Sequence, residues 1–157
     1  MGIAEYYFLT FLVYSIIMIK LIMGCYKPLM EVKNVMSDRV VYCTTRDTIR
    51  CAVSKMYAYN IGAVLVVDDV GTPVGIFTER DLVRVVAEGI SLDTPLAKLA
   101  QKELIKAAPN ESILMAAQKM IEHNVRHIPV VEGNRAVGML SIRDALRSLI
   151  TLEAAYP

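Results

Sequence analysis

Two uninterrupted apolar runs, Ala63–Val67 and Ile128–Val131, are the clearest structural signals along the chain. Runs of this length without polar interruptions are typical of strands that are buried on both faces of a sheet. Each run is followed by turn-forming residues and then by a second apolar stretch. We predict that these second strands end at Thr78 and Ser141, and that a helix begins directly after each.

Apolar residues at helical spacing predict an amphipathic helix before each buried strand. The residues that these two helices would bury are Ile49, Ala52, Val53 and Met56 in the first, and Ile113, Ala116, Ala117 and Met120 in the second. We expect Thr45 or Asp47 to cap the first helix and Pro109 to occupy the first turn of the second. Gly89 is expected to end the helix that follows Thr78.

The same order of elements occurs twice, so the chain contains an internal repeat. The two copies match at a separation of 64 residues before the turn of the first copy and 63 after it. Each copy also starts with a predicted short strand, Val40–Val41 in the first and Leu104–Ile105 in the second. A β-α-β-β-α unit of about 55 residues is too small to bury an adequate core alone. We therefore expect a mixed α/β fold in which two units pair through their sheets about a pseudo-twofold axis.

The chain divides into an apolar segment at 1–30, a first repeat at 31–90, a second repeat at 91–150 and a tail at 151–157. Between Ile3 and Met23 only Glu5 and Lys20 are charged, so residues 3–23 can span a bilayer core of about 30 Å. Basic residues follow this stretch, which would place the repeats in the cytoplasm. The alternatives are a signal peptide, a translated leader before a natural start at Met23 or Met30, and an apolar helix packed on a partner chain.

Two matching motifs stand where the second strands end, Gly75-x-x-Thr78-x-Arg80-Asp81 and Gly138-x-x-Ser141-x-Arg143-Asp144. A hydroxyl followed three residues later by an acid is typical of a helix capping box, which needs no ligand. The same groups suit a phosphorylated ligand, because free N–H groups at a helix start attract phosphate and arginine adds a charged fork. A carboxylate at that place can also accept hydrogen bonds from the hydroxyls of a ribose.

The order Val-Met-x-x-x-Val-Val, Ile-x-x-Ala-Val-x-x-Met, apolar strand and Gly-x-x-Thr-x-x-Asp resembles the CBS domain. Two copies in tandem resemble a Bateman module. The resemblance implies a non-catalytic regulatory protein that forms a homodimer and binds AMP, ADP or ATP between its paired units, or less often S-adenosylmethionine or NAD. It also implies a regulated partner protein, which the sequence does not identify.

The resemblance implies two clefts, each built from the motif of one copy and the strand region of the other. One cleft would use Thr78, Arg80, Asp81, Leu104, Ile105, Val125, Arg126 and His127. The other would use Ser141, Arg143, Asp144, Arg39, Val40, Ile61, Gly62 and Ala63. We favour the first for phosphate, because Arg126 and His127 are basic where the other copy has Gly62 and Ala63.

Charge and cysteine content exclude several other functions. The 17 basic and 16 acidic residues nearly balance, so nucleic acid is not expected as a partner. The three cysteines, Cys25, Cys43 and Cys51, form no Cys-x-x-Cys pair, and we expect reduced thiols without a disulfide or a structural zinc ion. No nucleophile with a matching base, metal set or glycine-rich phosphate loop is evident, so no catalytic cofactor is expected. The remaining alternatives are a structural dimerisation or interaction module without a ligand and, less favoured, a nucleic-acid-binding CBS protein.

Overall fold

A computed structural model describes residues 30–99 and 104–154 of the chain. The first repeat contains β1 (Tyr42–Thr44), α1 (Ile49–Tyr59), β2 (Ala63–Val67), β3 (Pro73–Thr78) and α2 (Glu79–Ala87). The second contains α3 (Ile113–Glu122), β4 (His127–Glu132), β5 (Arg135–Ser141) and α4 (Ile142–Ala154). In the first sheet β1 is parallel to β2 and β2 is antiparallel to β3, while β4 and β5 form an antiparallel pair. The mixed α/β architecture predicted from the sequence is confirmed.

The first strand of each repeat lies closer to the C-terminus than the apolar pair that was predicted to form it. In the first repeat the ladder is centred on Cys43, which is fully buried between two more polar neighbours. In the second repeat the strand is reduced to a parallel bridge between Ala107 and Val130. The predicted strands at Val40–Val41 and Leu104–Ile105 were therefore wrong in position, because the buried residue of each ladder is a small side chain that does not stand out in a hydropathy pattern.

The two predicted helix starts also shift toward the C-terminus. Thr48 caps α1, and its Oγ1 accepts a hydrogen bond from the Cys51 N–H at 3.3 Å. Asp47 instead accepts from the Thr44 N–H at 2.7 Å and closes the turn before the helix. The expected caps at Thr45 and Asp47 were wrong, because a hydroxyl directly before the periodic apolar residues is the better placed acceptor.

The second repeat shows the same shift at α3. Ser112 is its N-cap and accepts from the Leu114 N–H at 3.2 Å. Pro109 lies before the helix, where its carbonyl accepts from the Lys33 N–H, so its predicted place in the first helical turn was wrong. Gly89 does follow the C-terminus of α2 in a left-handed conformation, with φ of +66°, as expected.

Each repeat has its own core, and the predicted helix faces contribute to both. α3 buries all four expected residues, while α1 buries Ile49, Ala52 and Met56 and leaves Val53 half-buried. All five residues of β2 are buried, as the uninterrupted run predicted. The spacing of apolar residues in the sequence therefore predicts most of the buried residues of α1, α3 and β2.

The residues that lead into each repeat pack on the other repeat. Val32 is fully buried in the second core, and its N–H donates to the Glu111 carbonyl at 2.8 Å. Leu96 is fully buried in the first core, and its N–H donates to the Asp47 carbonyl at 2.9 Å. Each lead-in forms a short 3-10 turn, at Val32–Asn34 and at Leu96–Lys98. The two units are thus joined by a reciprocal exchange of segments.

The N-terminal apolar stretch and the packing of the two sheets remain predictions. The apolar stretch at 3–23 is outside the described residues, and so is the membrane anchor expected there. Within the described residues, no helix has the length and apolar character that crossing a bilayer requires. Among the described residues, hydrogen bonds between the repeats join the lead-in segments to the opposite repeat and Arg80 to Asn124. Face-to-face packing of the two sheets stays a prediction.

Candidate functional site

The start of α2 holds the first motif in a closed hydrogen-bonded arrangement. The Thr78 N–H and hydroxyl both donate to Asp81 Oδ2, at 2.9 and 2.7 Å, and the Asp81 N–H donates to Thr78 Oγ1 at 3.4 Å. Arg84 adds an ion pair with Asp81 Oδ1 at 3.5 Å. This is the capping box predicted from the sequence. The carboxylate is only 13% exposed, so a ligand would meet an oriented group and not a mobile one.

The start of α4 holds the second motif in a similar but more open form. The Ser141 hydroxyl donates to Asp144 Oδ2, and the Asp144 N–H donates back to Ser141 Oγ at 3.2 Å. Arg147 pairs with Asp144 Oδ1 at 3.5 Å. The Asp144 side chain is 37% exposed, compared with 13% for Asp81. The two motifs are therefore related by the repeat but differ in burial.

A cleft with a volume of about 1270 Å³ runs between the repeats and reaches both motifs. It collects most of the residues expected at a binding site, namely Ile61, Gly62, Thr78, Arg80, Asp81, Ile105, Val125, Arg126, His127, Ser141 and Arg143. Pockets for small ligands commonly have volumes of roughly 300–1,000 Å³. The structure thus joins residues that were assigned to two clefts into one continuous space.

The other expected residues do not line this cleft: Leu104, Asp144, Arg39, Val40 and Ala63. Ala63 is 5% exposed and belongs to the buried strand β2. The guanidinium of Arg39 lies over the ring of Tyr59, 4.9 Å from its centroid. Asp144 is held beside the cleft by Ser141 and Arg147.

Backbone hydrogen bonds tie each helix start to the corner before the buried strand of the same repeat. The Glu79 N–H donates to the Gly62 carbonyl at 3.1 Å, and the Ile142 N–H donates to the Arg126 carbonyl at 2.8 Å. Arg80 then crosses between the repeats, since its guanidinium donates to the Asn124 carbonyl at 2.9 Å. The guanidinium of Arg80 is therefore anchored to the second repeat.

His127 lines the cleft and lies close to residues of both repeats. It is paired in register with Ser141 of its own sheet. Its ring also faces Gly62 of the first repeat, where a β-carbon would lie 3.1 Å from His127 Cε1 and 3.4 Å from Glu79 Oε2. His127 was expected in the cleft of Thr78 and Asp81, but these contacts place it between the two motifs.

Burial lowers the pKa of His127 from its usual value. Glu79 and Asp144 oppose this effect, whereas Arg126 and Arg143 reinforce it. The imidazole is consequently neutral near pH 7 in the ligand-free protein. Positive charge in the cleft therefore comes from arginine, and the basic contribution expected from His127 needs a bound anion to raise its pKa.

Sequence reasoning did not assign the ends of α1 and α3 to the site. Tyr57, Asn60, His123 and Asn124 all line the cleft. Asn60 and Asn124 have φ values of 51° and 52°, so each marks the left-handed end of a helix. Asparagine at equivalent positions of both repeats was the signal that could have identified these corners.

The family assignment follows from comparison with known proteins. The model of the CBS domain matches residues 32–88 and again residues 96–151. The chain belongs to the CBS domain family. The tandem pair inferred from the internal repeat is confirmed.

Other CBS domain proteins resemble this chain in sequence and in fold. The chain is 33% identical over 126 residues to the CBS domain-containing protein YhcV of Bacillus subtilis, covering 80% of this chain and 89% of YhcV. The structure of the CBS-domain containing protein ATU1752 from Agrobacterium tumefaciens matches with a TM-score of 0.71 at 32% identity, over 76% of this chain and 99% of that one. The CBS domain pair of protein MJ0100, solved in complex with 5-methylthioadenosine and S-adenosyl-L-methionine, matches with a TM-score of 0.74 at 25% identity, over 80% and 99% of the two chains.

Proposed function

We propose that this CBS pair is a non-catalytic regulatory module that binds an adenine nucleotide of the AMP, ADP or ATP class in the cleft between its repeats. The observation that carries the proposal is a cleft that is lined by Thr78 and Asp81 of one repeat and by Arg126 and His127 of the other. A ligand in that space would touch both repeats at once. A ligand that binds one relative orientation of the repeats more tightly would favour that orientation, and the protein could report the ligand in this way.

The polar groups of the cleft fit the parts of a nucleotide. The Asp81 carboxylate can accept hydrogen bonds from ribose hydroxyls in place of the Thr78 hydroxyl. The guanidinium of Arg126 suits phosphate oxygens, and the positive end of the α2 dipole favours an anion at the same place. Apolar side chains such as Val53 and Ile105 line other parts of the cleft and offer a surface for the base.

The charge of the cleft favours phosphate over a sulfonium ligand. Arg80, Arg126 and Arg143 line it, and among the described acidic residues that line it Glu79 and Asp81 oppose them. The related pair of MJ0100 was solved with two adenosine derivatives that lack phosphate. We therefore expect the adenosine part to be the shared requirement, and phosphate to be the preference of this chain.

The proposal includes a homodimer and a regulated partner protein. Val83 and Val86 of α2 are 68% and 70% exposed, and Leu146 and Ile150 of α4 are 39% and 67% exposed. Apolar side chains on neighbouring turns of two helices suit an interface between protein chains. A second copy that covers these helices would carry a change in the cleft to the whole assembly, because α2 and α4 also begin at the binding motifs.

A thermal-shift comparison of the full chain tests the ligand class. AMP, ADP, ATP, S-adenosylmethionine and NAD are added separately at increasing concentration, because a ligand that binds only the folded chain raises the melting temperature. We expect the nucleotides to raise it at lower concentration than S-adenosylmethionine. If none of the five ligands raises it, the chain is instead a dimerisation module whose two motifs act as helix caps.

A further inference from the structure

A second cluster of chemically active side chains lies away from the cleft, at the junction of β1 and α1. The thiols of Cys43 and Cys51 and a carboxylate oxygen of Asp47 all lie within 4.8 Å of one another. Cys43 is fully buried, while Cys51 and Asp47 are half-buried and give access from solvent. Two sulfur donors and one oxygen donor thus converge at one point.

The fold orients each of the three groups independently. Cys43 is the inward-facing centre of β1, and Cys51 lies in the first turn of α1 with its N–H bonded to Thr48. Asp47 is held by the Thr44 N–H at 2.7 Å. A site held by a strand, a turn and a helix start needs little rearrangement to close on an ion.

The second repeat provides an internal comparison, because the equivalent positions carry no thiol. Ala107, Glu111 and Met115 replace Cys43, Asp47 and Cys51. There Glu111 pairs with Lys119 at 2.8 Å and also accepts from the Ala108 N–H at 3.2 Å. The second repeat therefore builds the equivalent turn and helix start around an ion pair and without thiols.

We propose that Cys43, Cys51 and Asp47 bind a thiophilic divalent cation of the zinc class. Sulfur donors select such ions over magnesium or calcium. Bond lengths of about 2.3 Å to sulfur and 2.0–2.2 Å to oxygen place ligand atoms of a tetrahedral site a little under 4 Å apart, so small side-chain rotations close the cluster. Three protein ligands leave the fourth position open to water. This proposal differs from the expectation that these cysteines are ordinary reduced thiols without a zinc ion.

Charge balance around the cluster supports this assignment. Lys55 lies beside both thiols, and its ammonium donates to the Tyr42 carbonyl at 2.7 Å. Two thiolates and a carboxylate exceed the charge of a divalent ion by one negative unit, which the ammonium of Lys55 neutralises. Burial raises the pKa of the Cys43 thiol to about 11, so the cation has to displace that proton on binding.

The ion would link β1 to the helix that carries part of the cleft. Cys51 is in the first turn of α1, and Tyr57 and Asn60 at the other end line the cleft. A metal bound at the start of α1 therefore stabilises the first repeat from the side opposite its ligand contacts. The site itself does not depend on nucleotide binding, so it can be tested separately.

Cobalt titration of the reduced full chain, without oxygen, tests the site. Thiolate ligands to cobalt give an intense near-ultraviolet charge-transfer band, and zinc added afterwards displaces the cobalt and removes it. We expect saturation with a single ion per chain. We also expect the band to be lost in Cys43→Ala and Cys51→Met, which introduce the residues of the second repeat, and retained in the Cys25→Ser control.

A zinc thermal-shift series on the same variants separates loss of the site from loss of folding. Zinc should raise the melting temperature of the wild-type chain and of Cys25→Ser, and have little effect on the other two variants, which still melt cooperatively. Absence of the cobalt band in the wild-type chain would overturn the proposal. So would a band that persists in Cys43→Ala and Cys51→Met, or one that disappears in Cys25→Ser.

Discussion

The ring of His127 lies so close to Gly62 that a β-carbon on the glycine would be 3.1 Å from Cε1 and 3.3 Å from Nε2. These two residues belong to different repeats, and both line the cleft. Their contact is therefore a direct connection between the two CBS units at the point where a ligand is proposed to bind.

Gly62→Ala should destabilise the pair by forcing His127 away from this contact. We expect a loss of about 1 kcal/mol in the free energy of unfolding, the lower part of the range for overpacking. The measurement is urea unfolding of Gly62→Ala, His127→Ala and the double variant. The steric account requires a smaller cost of Gly62→Ala in the His127→Ala background, and additive effects would contradict it.

Acid should weaken the fold through His127. Because its pKa is lower in the folded chain than its ordinary value of 6.5, the unfolded chain binds more protons below that pH. The free energy of unfolding is then unaffected by this group above pH 6.5 and declines as the pH falls from there to the folded pKa. Urea unfolding across this interval should show a shallower decline in His127→Asn, and equal slopes in both proteins would refute the explanation.

Leu96→Ala should loosen the first repeat although Leu96 precedes the second. Leu96 is fully buried in the first core, so its truncation should cost about 2–5 kcal/mol. Amide hydrogen exchange should speed up most in β2. Val32→Ala is the reciprocal variant, since Val32 is buried in the second core, and it should speed up exchange in β4. If Leu96→Ala instead increased the hydrogen-exchange rate of β4 more than that of β2, the packing of each lead-in segment on the opposite repeat would be contradicted.

A charge on the exposed apolar face of α2 or α4 should break the proposed homodimer. Val86→Lys and Ile150→Lys place an ammonium where 70% and 67% of each residue is exposed. Sedimentation equilibrium should show a dimer for the wild-type chain and weakened association for both variants. Val70→Lys is the matched control, since Val70 is 86% exposed in a turn and should leave association unchanged. Equal association of all four proteins would exclude these faces from the interface.

The repeat and its cores could be predicted because they depend on the periodicity of apolar residues. The buried faces of α1 and α3 follow from helical periodicity, and the burial of β2 follows from its uninterrupted apolar run. The ends of β3 and β5 could also be predicted, because Thr78 and Ser141 are hydroxyl residues at the change from strand to helix.

Other features depend on contacts between residues far apart in the sequence. Val32 and Leu96 are simple apolar residues, and nothing in their neighbourhood indicates that each packs on the other repeat. The sequence also did not predict that Cys43 and Cys51 lie close together. Their spacing in the sequence does not give the distance between a strand and the helix that follows it. The closeness of His127 to Gly62 likewise depends on how the two repeats pack, which residue spacing does not predict.

The most direct test of the central claim is calorimetric titration of the full chain with AMP, ADP and ATP, using Asp81→Asn and the control Asp93→Asn. Asp93 pairs with Arg50 and does not line the cleft. We predict saturable binding of at least one nucleotide to the wild-type chain and to Asp93→Asn, with affinity reduced about tenfold or more in Asp81→Asn through loss of a charge-assisted hydrogen bond. No saturable binding to the wild-type chain, or equal affinity in the two variants, would contradict nucleotide recognition at this cleft.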